Sequence, residues 1–276
     1  MKTVIILAAF TALSSAFEWT DLRVRWNGSD TLHQNSFFEI PRTANSSISE
    51  GWVSVPHVND HPVTVYCPKN DGRFCVLTDS YGNIAGIQVS VLASDIDNKG
   101  IPYDPSTIAA YKKKTLFGED YWTTTVYTVD PNLIDAGGRR DAKGLIMTTG
   151  VWVEEGDSYM YIDKNLNTLL KTLDFRKNNC FPSMGHHYYL KLDENQDCKE
   201  ISPYFLMYSG NDLTVLGFLA FGRPTTLNRP WYDALDWTAI KPTIPKPPAC
   251  LVDWGREYGI ITMHIFLVEK PWKITC

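Results

Sequence analysis

Turn signals punctuate this chain roughly every 8–15 residues, and that spacing leaves room for little but short strands. Val63-Thr64-Val65-Tyr66-Cys67 and Arg73-Phe74-Cys75-Val76-Leu77 flank Lys69-Asn70-Asp71-Gly72, whose Asp-Gly pair is a hairpin signal. Ile87, Val89 and Val91 alternate with Gln88 and Ser90, as in a half-buried strand over residues 84–93. Residues 122–129, 145–154, 159–162, 188–192, 204–208, 213–221 and 260–268 read as further strands, rich in β-branched and aromatic residues. One short helix is expected over residues 106–113, capped by Ser106. The pattern predicts a mainly β fold: a single antiparallel sandwich or barrel-like domain with one or two short helices, stapled by disulfides. Hydrophobic residues make up 44% of the 276 and aromatics 13%, which excludes a disordered chain and allows a sizeable core. No shift in composition divides the chain. Residues 17–50 read as a polar N-terminal extension anchored by Trp19 and Trp26, and residues 224–248 as a proline-rich segment crossing the surface.

The first residues bear on where such a chain works. Met1-Lys2-Thr3 precedes an apolar run from Val4 to Leu13 and then Ser14-Ser15-Ala16, the layout of a secretory signal peptide cleaved after Ala16. The run is too short to span about 30 Å of hydrocarbon. The expectation is therefore a secreted, extracellular protein of residues 17–276 without a membrane span. Six cysteines in an exported chain favour disulfides over metal ligation, and no Cys-x-x-Cys spacing is present. They fall into three sequence-local pairs, which predicts Cys67–Cys75, Cys180–Cys198 and Cys250–Cys276. Sequons at Asn27 and Asn45 lie in the polar N-terminal stretch, where a glycan stays in solvent. The net charge of −5 argues against a general nucleic-acid binder and is too small for a mineral-binding polymer.

Standard catalytic signatures are absent: no Gly-x-Ser-x-Gly, no His-Glu-x-x-His, no phosphate-binding or dinucleotide loop. Asp95-Ile96-Asp97-Asn98-Lys99-Gly100 begins like a calcium loop, but Lys99 stands where an oxygen ligand is required. The six histidines are more informative. His186 and His187 enter a strand after Gly185, so they point to opposite faces unless a bulge re-aims one. His264 sits in the apolar run Thr262-Met263-His264-Ile265-Phe266, where it must be partnered or neutral. Were the two strands neighbours, His264 and one of His186 and His187 would share a site, and Met184 or Met263 would add a soft ligand; zinc or copper is the metal such a site would take. A core histidine bonded to a tyrosine or a carbonyl is the plain alternative. His57-Val58-Asn59-Asp60-His61 has metal-like spacing, yet Pro56 and Pro62 deny it a helix. Arg139-Arg140 after two glycines suggests an anion-binding nest or a solvated loop. Among the aromatics, Trp122, Trp152, Tyr188, Tyr204 and Phe218 fall on expected strands and belong to a core, whereas Trp231, Trp237 and Trp254 are candidates for a ligand-binding surface patch.

Four stretches, Tyr81-Gly82-Asn83-Ile84-Ala85-Gly86-Ile87-Gln88, Pro182-Ser183-Met184-Gly185-His186-His187-Tyr188, Pro203-Tyr204-Phe205-Leu206-Met207-Tyr208 and Thr262-Met263-His264-Ile265-Phe266, resemble those of uncharacterised secreted proteins of invertebrates. The resemblance spans residues 52–276. It implies export and a shared fold, carries no mechanism, and singles out the Met-Gly-x-His-Tyr and Thr-Met-His stretches as the site to test. Three functions stay open at this point. The first is a secreted extracellular binding protein with an aromatic-lined pocket for a small molecule or glycan. The others are a metal-assisted secreted enzyme using His186 or His187 with His264, and a structural component of the extracellular matrix.

Overall fold

The computed structural model describes residues 17–25, 34–56, 61–97, 99–225, 229–233 and 236–276. The expected leader, Trp26, the Asn27 sequon, His33 and His57 lie outside them. Fifteen strands occupy the described residues. The first six are β1 (Arg23–Arg25), β2 (Phe37–Glu39), β3 (Trp52–Val55), β4 (Thr64–Pro68), β5 (Phe74–Thr78) and β6 (Ile84–Leu92). Then come β7 (Lys112–Leu116), β8 (Glu119–Tyr127), β9 (Gly150–Glu155) and β10 (Ser158–Asp163). The last five are β11 (Phe175–Phe181), β12 (Gly185–Leu190), β13 (Tyr204–Ser209), β14 (Asp212–Phe221) and β15 (Ile260–Phe266).

They form two antiparallel sheets. One has seven strands in the order β11-β12-β13-β14-β15-β1-β2; the other runs β10-β9-β8-β6-β5-β4-β3, with β7 also paired to β8. Strands β7 and β9 share one edge of β8, β7 pairing from Glu119 to Thr123 and β9 at Val126 and Tyr127. The sheets pack face to face. Val89, Val126 and Val153 of one meet Leu216, Phe218 and Ile265 of the other, and a single apolar core runs through both. A smaller cluster, including Val65, Leu77, Leu116 and Tyr127, covers the outer face of the eight-stranded sheet. That second layer explains why β6 is buried on both faces, Gln88 and Ser90 included. Gln88 Oε1 accepts from Lys114 Nζ at 2.9 Å and Gln88 Nε2 donates to Ser90 Oγ at 3.5 Å, so both buried side chains have a partner.

Several expectations change. Residues 17–50 are no extension: β1 and β2 complete the seven-stranded sheet, Leu22 and Val24 are fully buried, and Trp19 Nε1 donates to the Leu213 carbonyl at 2.6 Å. Three-residue strands are too short to show a period. The expected helix over 106–113 is a single turn, Pro105–Thr107, capped by Asp104 rather than Ser106. Beyond it the chain enters β7, which turns into β8 through Phe117 and Gly118, both at positive φ. Helices at Leu166–Thr172 and Ala249–Glu257 were not expected. The segment 224–248 does not simply cross the surface, since Trp231, Tyr232 and Asp233 are buried. No helix among the described residues is long and apolar enough to cross a membrane.

Of the expected disulfides, Cys67–Cys75 forms across the first hairpin. The other two are re-paired: Cys180 joins Cys276 and Cys198 joins Cys250, not Cys180–Cys198 and Cys250–Cys276. Sequence proximity misleads here because the C-terminal residues lie against the β11–β12 turn, where Ser183 N–H donates to the Ile274 carbonyl at 2.8 Å. Cys198, fully buried, meets the first turn of the helix Ala249–Glu257. The observed pairs span 96 and 52 residues. In the chain-entropy account loops of that size remove about 4–5 kcal/mol each from the unfolded state. Peptide mapping without reduction will recover Cys180 linked to Cys276 and Cys198 to Cys250; a Cys180–Cys198 peptide would contradict this topology.

Candidate functional site

A cavity of ≈ 540 Å³ lies on the outer face of the seven-stranded sheet. Its floor is one row of side chains crossing five strands. Tyr189 stands on β12, Phe205 on β13, Gly217 on β14, His264 on β15 and, one step further in register, Arg25 on β1. His187, two residues before Tyr189 on the same face of β12, adds a second imidazole. The roof is the turn from Asp236 into the helix Ile240–Thr243, together with Leu251 of the helix Ala249–Glu257. Gly217 creates the space: a Cβ there would lie 2.1 Å from the Phe205 ring, which crosses β14 where a side chain would stand. The Phe205 ring stacks on Tyr189 with centroids 5.0 Å apart and meets His264 edge-on at 5.3 Å. Asn179 joins roof to floor. Its side-chain Nδ2 donates to the Pro242 carbonyl at 2.7 Å, and its own carbonyl accepts from His187 Nδ1 at 3.1 Å.

One end of this apolar space is charged. β1 ends at Arg25, and the residues around Asp233 take up the edge of β15 that it leaves, Asp233 N–H donating to the Thr262 carbonyl at 2.8 Å. Asp233 Oδ1 accepts from Arg25 Nε at 2.8 Å, and Oδ2 accepts from His264 Nδ1. Side-chain exposure is 0% for Arg25 and Asp233 and 3% for His264. Burial alone would raise the Asp233 pKa, but His264 and Arg25 outweigh it and hold the carboxyl below its ordinary range. Burial pulls His264 down; Asp233 opposes that and Arg25 adds to it, with a net fall. Burial likewise brings His187 down to about 3, helped by the neighbouring His264. The resting site is thus Arg25 cationic, Asp233 anionic and both imidazoles neutral. With the Nδ1 proton of His264 given to Asp233, its Nε2 is a bare acceptor.

Three buried polar atoms of cavity-lining residues have no hydrogen-bond partner among the described residues: Arg25 Nη2, His264 Nε2 and Thr262 Oγ1. Each such atom normally costs about 1–3 kcal/mol, more when charged. They include two donors, Arg25 Nη2 and the Thr262 hydroxyl, and one obligate acceptor.

Of the residues singled out from sequence, His187 and His264 do share this site, with ring centroids 6.1 Å apart. His186 does not. It faces the other way, its Nδ1 donating to the Asn178 carbonyl at 3.1 Å across the bulge in β11. Met184 lines the cavity with its Sδ 3.6 Å from Arg25 Nη1. No group of three or more His, Cys, Asp or Glu side chains placed to hold a metal ion occurs among the described residues. The tryptophans do not make one patch. Trp231 is fully buried, stacked on Phe74 and donating to Asp71 Oδ2 at 2.7 Å. Trp254 packs on Phe221, and Trp237 is partly exposed beside the roof. His61 has both ring nitrogens occupied, by Asp135 at 2.6 Å and Tyr159 at 2.5 Å. The anion nest at Gly138-Arg139 is filled by the chain itself: Asp79 Oδ2 accepts from Arg139 N–H at 2.8 Å. Asn45 is exposed on the helix Ala44–Ser49. Sequence reading missed Arg25 and Asp233 altogether, and it picked out Thr262 only as part of the Thr-Met-His stretch. Gly217, isolated in a strongly apolar strand, was the signal of a close approach that could have located the site. No known protein family, curated protein or solved structure matches this chain.

Two outcomes follow from this geometry. Replacing Asp233 by Asn leaves the Arg25 charge buried without its counter-ion and should lower stability by about 3–5 kcal/mol, read as a fall in the denaturant midpoint. Stability should also fall with acid. Below pH ~6.5 the unfolded chain protonates His187 and His264 more readily than the native state does, so the loss begins near 6.5, and for His187 it continues toward 3. Its slope is at most about 1.4 kcal/mol per pH unit for each histidine. Thermal melts between pH 7.5 and 4.5 will show it, and His187→Gln will flatten it; a melt unchanged over that range would contradict the assignment of neutral imidazoles.

Proposed function

We propose that this is a secreted extracellular binding protein, and that the cavity on its seven-stranded sheet holds a small amphipathic molecule. One observation carries the reading: a largely apolar cavity of ≈ 540 Å³ among whose lining residues Arg25, Thr262 and His264 carry unpartnered polar atoms. Ligand pockets of about 300–1,000 Å³ are built this way, apolar walls giving affinity and a few placed polar groups giving orientation. A glycan would ask for hydrogen-bonding side chains along the whole wall, and here Phe181, Phe205, Leu219, Ile240, Ile244 and Leu251 line it, so a small molecule is favoured over a sugar. The signal-like N-terminus and three disulfides support export.

A catalytic role has one specific support, the Asp233–His264 pair, which presents Nε2 as an oriented base. Against its metal-assisted form stands Arg25, whose guanidinium already places a positive charge beside Met184 and His264. A cation would have to enter next to it.

The test is uptake of a neutral apolar fluorophore. The protein secreted from eukaryotic cells should bind N-phenyl-1-naphthylamine saturably at one site. Ala239→Trp, which puts a large ring into the roof, should abolish uptake while the β-sheet circular dichroism stays the same. A folded protein that takes up no probe would sink the reading and favour a structural role in the matrix.

A further inference from the structure

The unpartnered atoms at the end of the cavity form a pattern, and the pattern has a chemical complement. Arg25 Nη2 offers a cationic donor, and His264 Nε2, bare because Nδ1–H is committed to Asp233, offers an acceptor. Thr262, two residues before His264 and on the same face of β15, offers a hydroxyl. An alcohol satisfies only part of this set. A group with an acceptor oxygen and a donor on one planar centre satisfies both charged-site atoms at once, and two such groups exist: a primary amide and a carboxyl.

Charge decides between them. Arg25 and Asp233 neutralise each other, so the resting site carries no net charge. A carboxylate entering alone would leave one uncompensated negative charge in a dry site, which is costly. A carboxylate entering with a proton on His264 restores neutrality and converts both contacts into charge-assisted hydrogen bonds, roughly twice as strong as those to an amide. The other titratable residues lining the cavity do not compete for that proton. His187 is neutral with its Nδ1 held by Asn179, and burial raises the Tyr189 hydroxyl out of reach. Asp236, exposed at the mouth, is bound to Thr238 N–H at 2.8 Å and faces solvent, where its charge is screened.

We infer that the occupant of this cavity is an amphipathic organic acid whose carboxyl group sits between Arg25 and His264 and shares one proton with His264 Nε2. A carboxylate bound from neutral solution therefore takes one proton from the solvent; no bond is made or broken besides the N–H. The inference rests on the small-molecule reading above and names the polar end of that molecule.

The experiment separates the two. Decanoic acid and decanamide, and as a second body shape 2-naphthoic acid and 2-naphthamide, compete against N-phenyl-1-naphthylamine, with calorimetry at pH 7.5 in two buffers of different ionisation enthalpy. The expected result is that at least one acid displaces the probe on the order of ten- to a hundredfold more tightly than its amide. It should do so with about one proton taken up per molecule bound. In His264→Gln the acid should lose on the order of ten- to a hundredfold more affinity than the amide, and the proton uptake should vanish. An amide that binds as tightly as its acid, or acid binding without proton uptake in the unmodified protein, overturns the inference and leaves the small-molecule reading standing. So does a probe that binds but yields to neither acid. Failure of the probe itself overturns both.

Discussion

The carboxylate of Asp233, shared between Arg25 and His264 with all three side chains out of water, is the interaction on which the rest of the outer face depends. It fixes the register at a place where the sheet has none to spare. β1 is three residues long, and its last residue is held from the side by an aspartate 208 positions further along the chain. The same carboxylate sets the tautomer of His264. It also draws the residues around Trp231 against the free edge of β15, which lets Trp231 close onto Phe74 of the other sheet. A buried ion pair of this kind is rarely the cheapest way to fill a volume, and apolar replacements are often as stable. Here its Arg25 side lines an apolar cavity.

The strand pattern was legible because it lives in local sequence. Alternation and turn chemistry placed β4, β5, β6, β8, β10 and β13 to β15. What could not be read was long-range. The disulfides re-pair because the C-terminus returns to the β11–β12 turn, and no local spacing encodes that return. Residues 17–25 join the sheet because Val24 pairs with Ile265 of β15 and Trp19 donates to the Leu213 carbonyl of β14, contacts that exist only once those strands have formed.

The candidate site divides the same way. His187 and His264 were visible as histidines in apolar strands, an anomaly of local composition that points to a buried, partnered group. That His186 and His187 face opposite ways follows from strand parity, but which of them joins His264 is set by the registers of β12 to β15. Arg25 and Asp233 were invisible, since a lone arginine and a lone aspartate in polar stretches carry no local signal. Trp231 was misplaced for a related reason: surrounding prolines suggest the surface, whereas its burial is settled by Phe74, Trp52 and Asp71 from distant elements.

Asn179 gives the cavity a mechanical property. Its amide grips the roof at Pro242 while its carbonyl grips the floor at His187, through one residue at the bulge of an edge strand. The next residue, Cys180, is tied to Cys276, so this part of the edge strand is also held covalently. The roof and the carbonyl that holds the His187 ring therefore belong to one tied unit. Roof and floor are thus joined through one residue, and that residue is itself next to a covalent anchor.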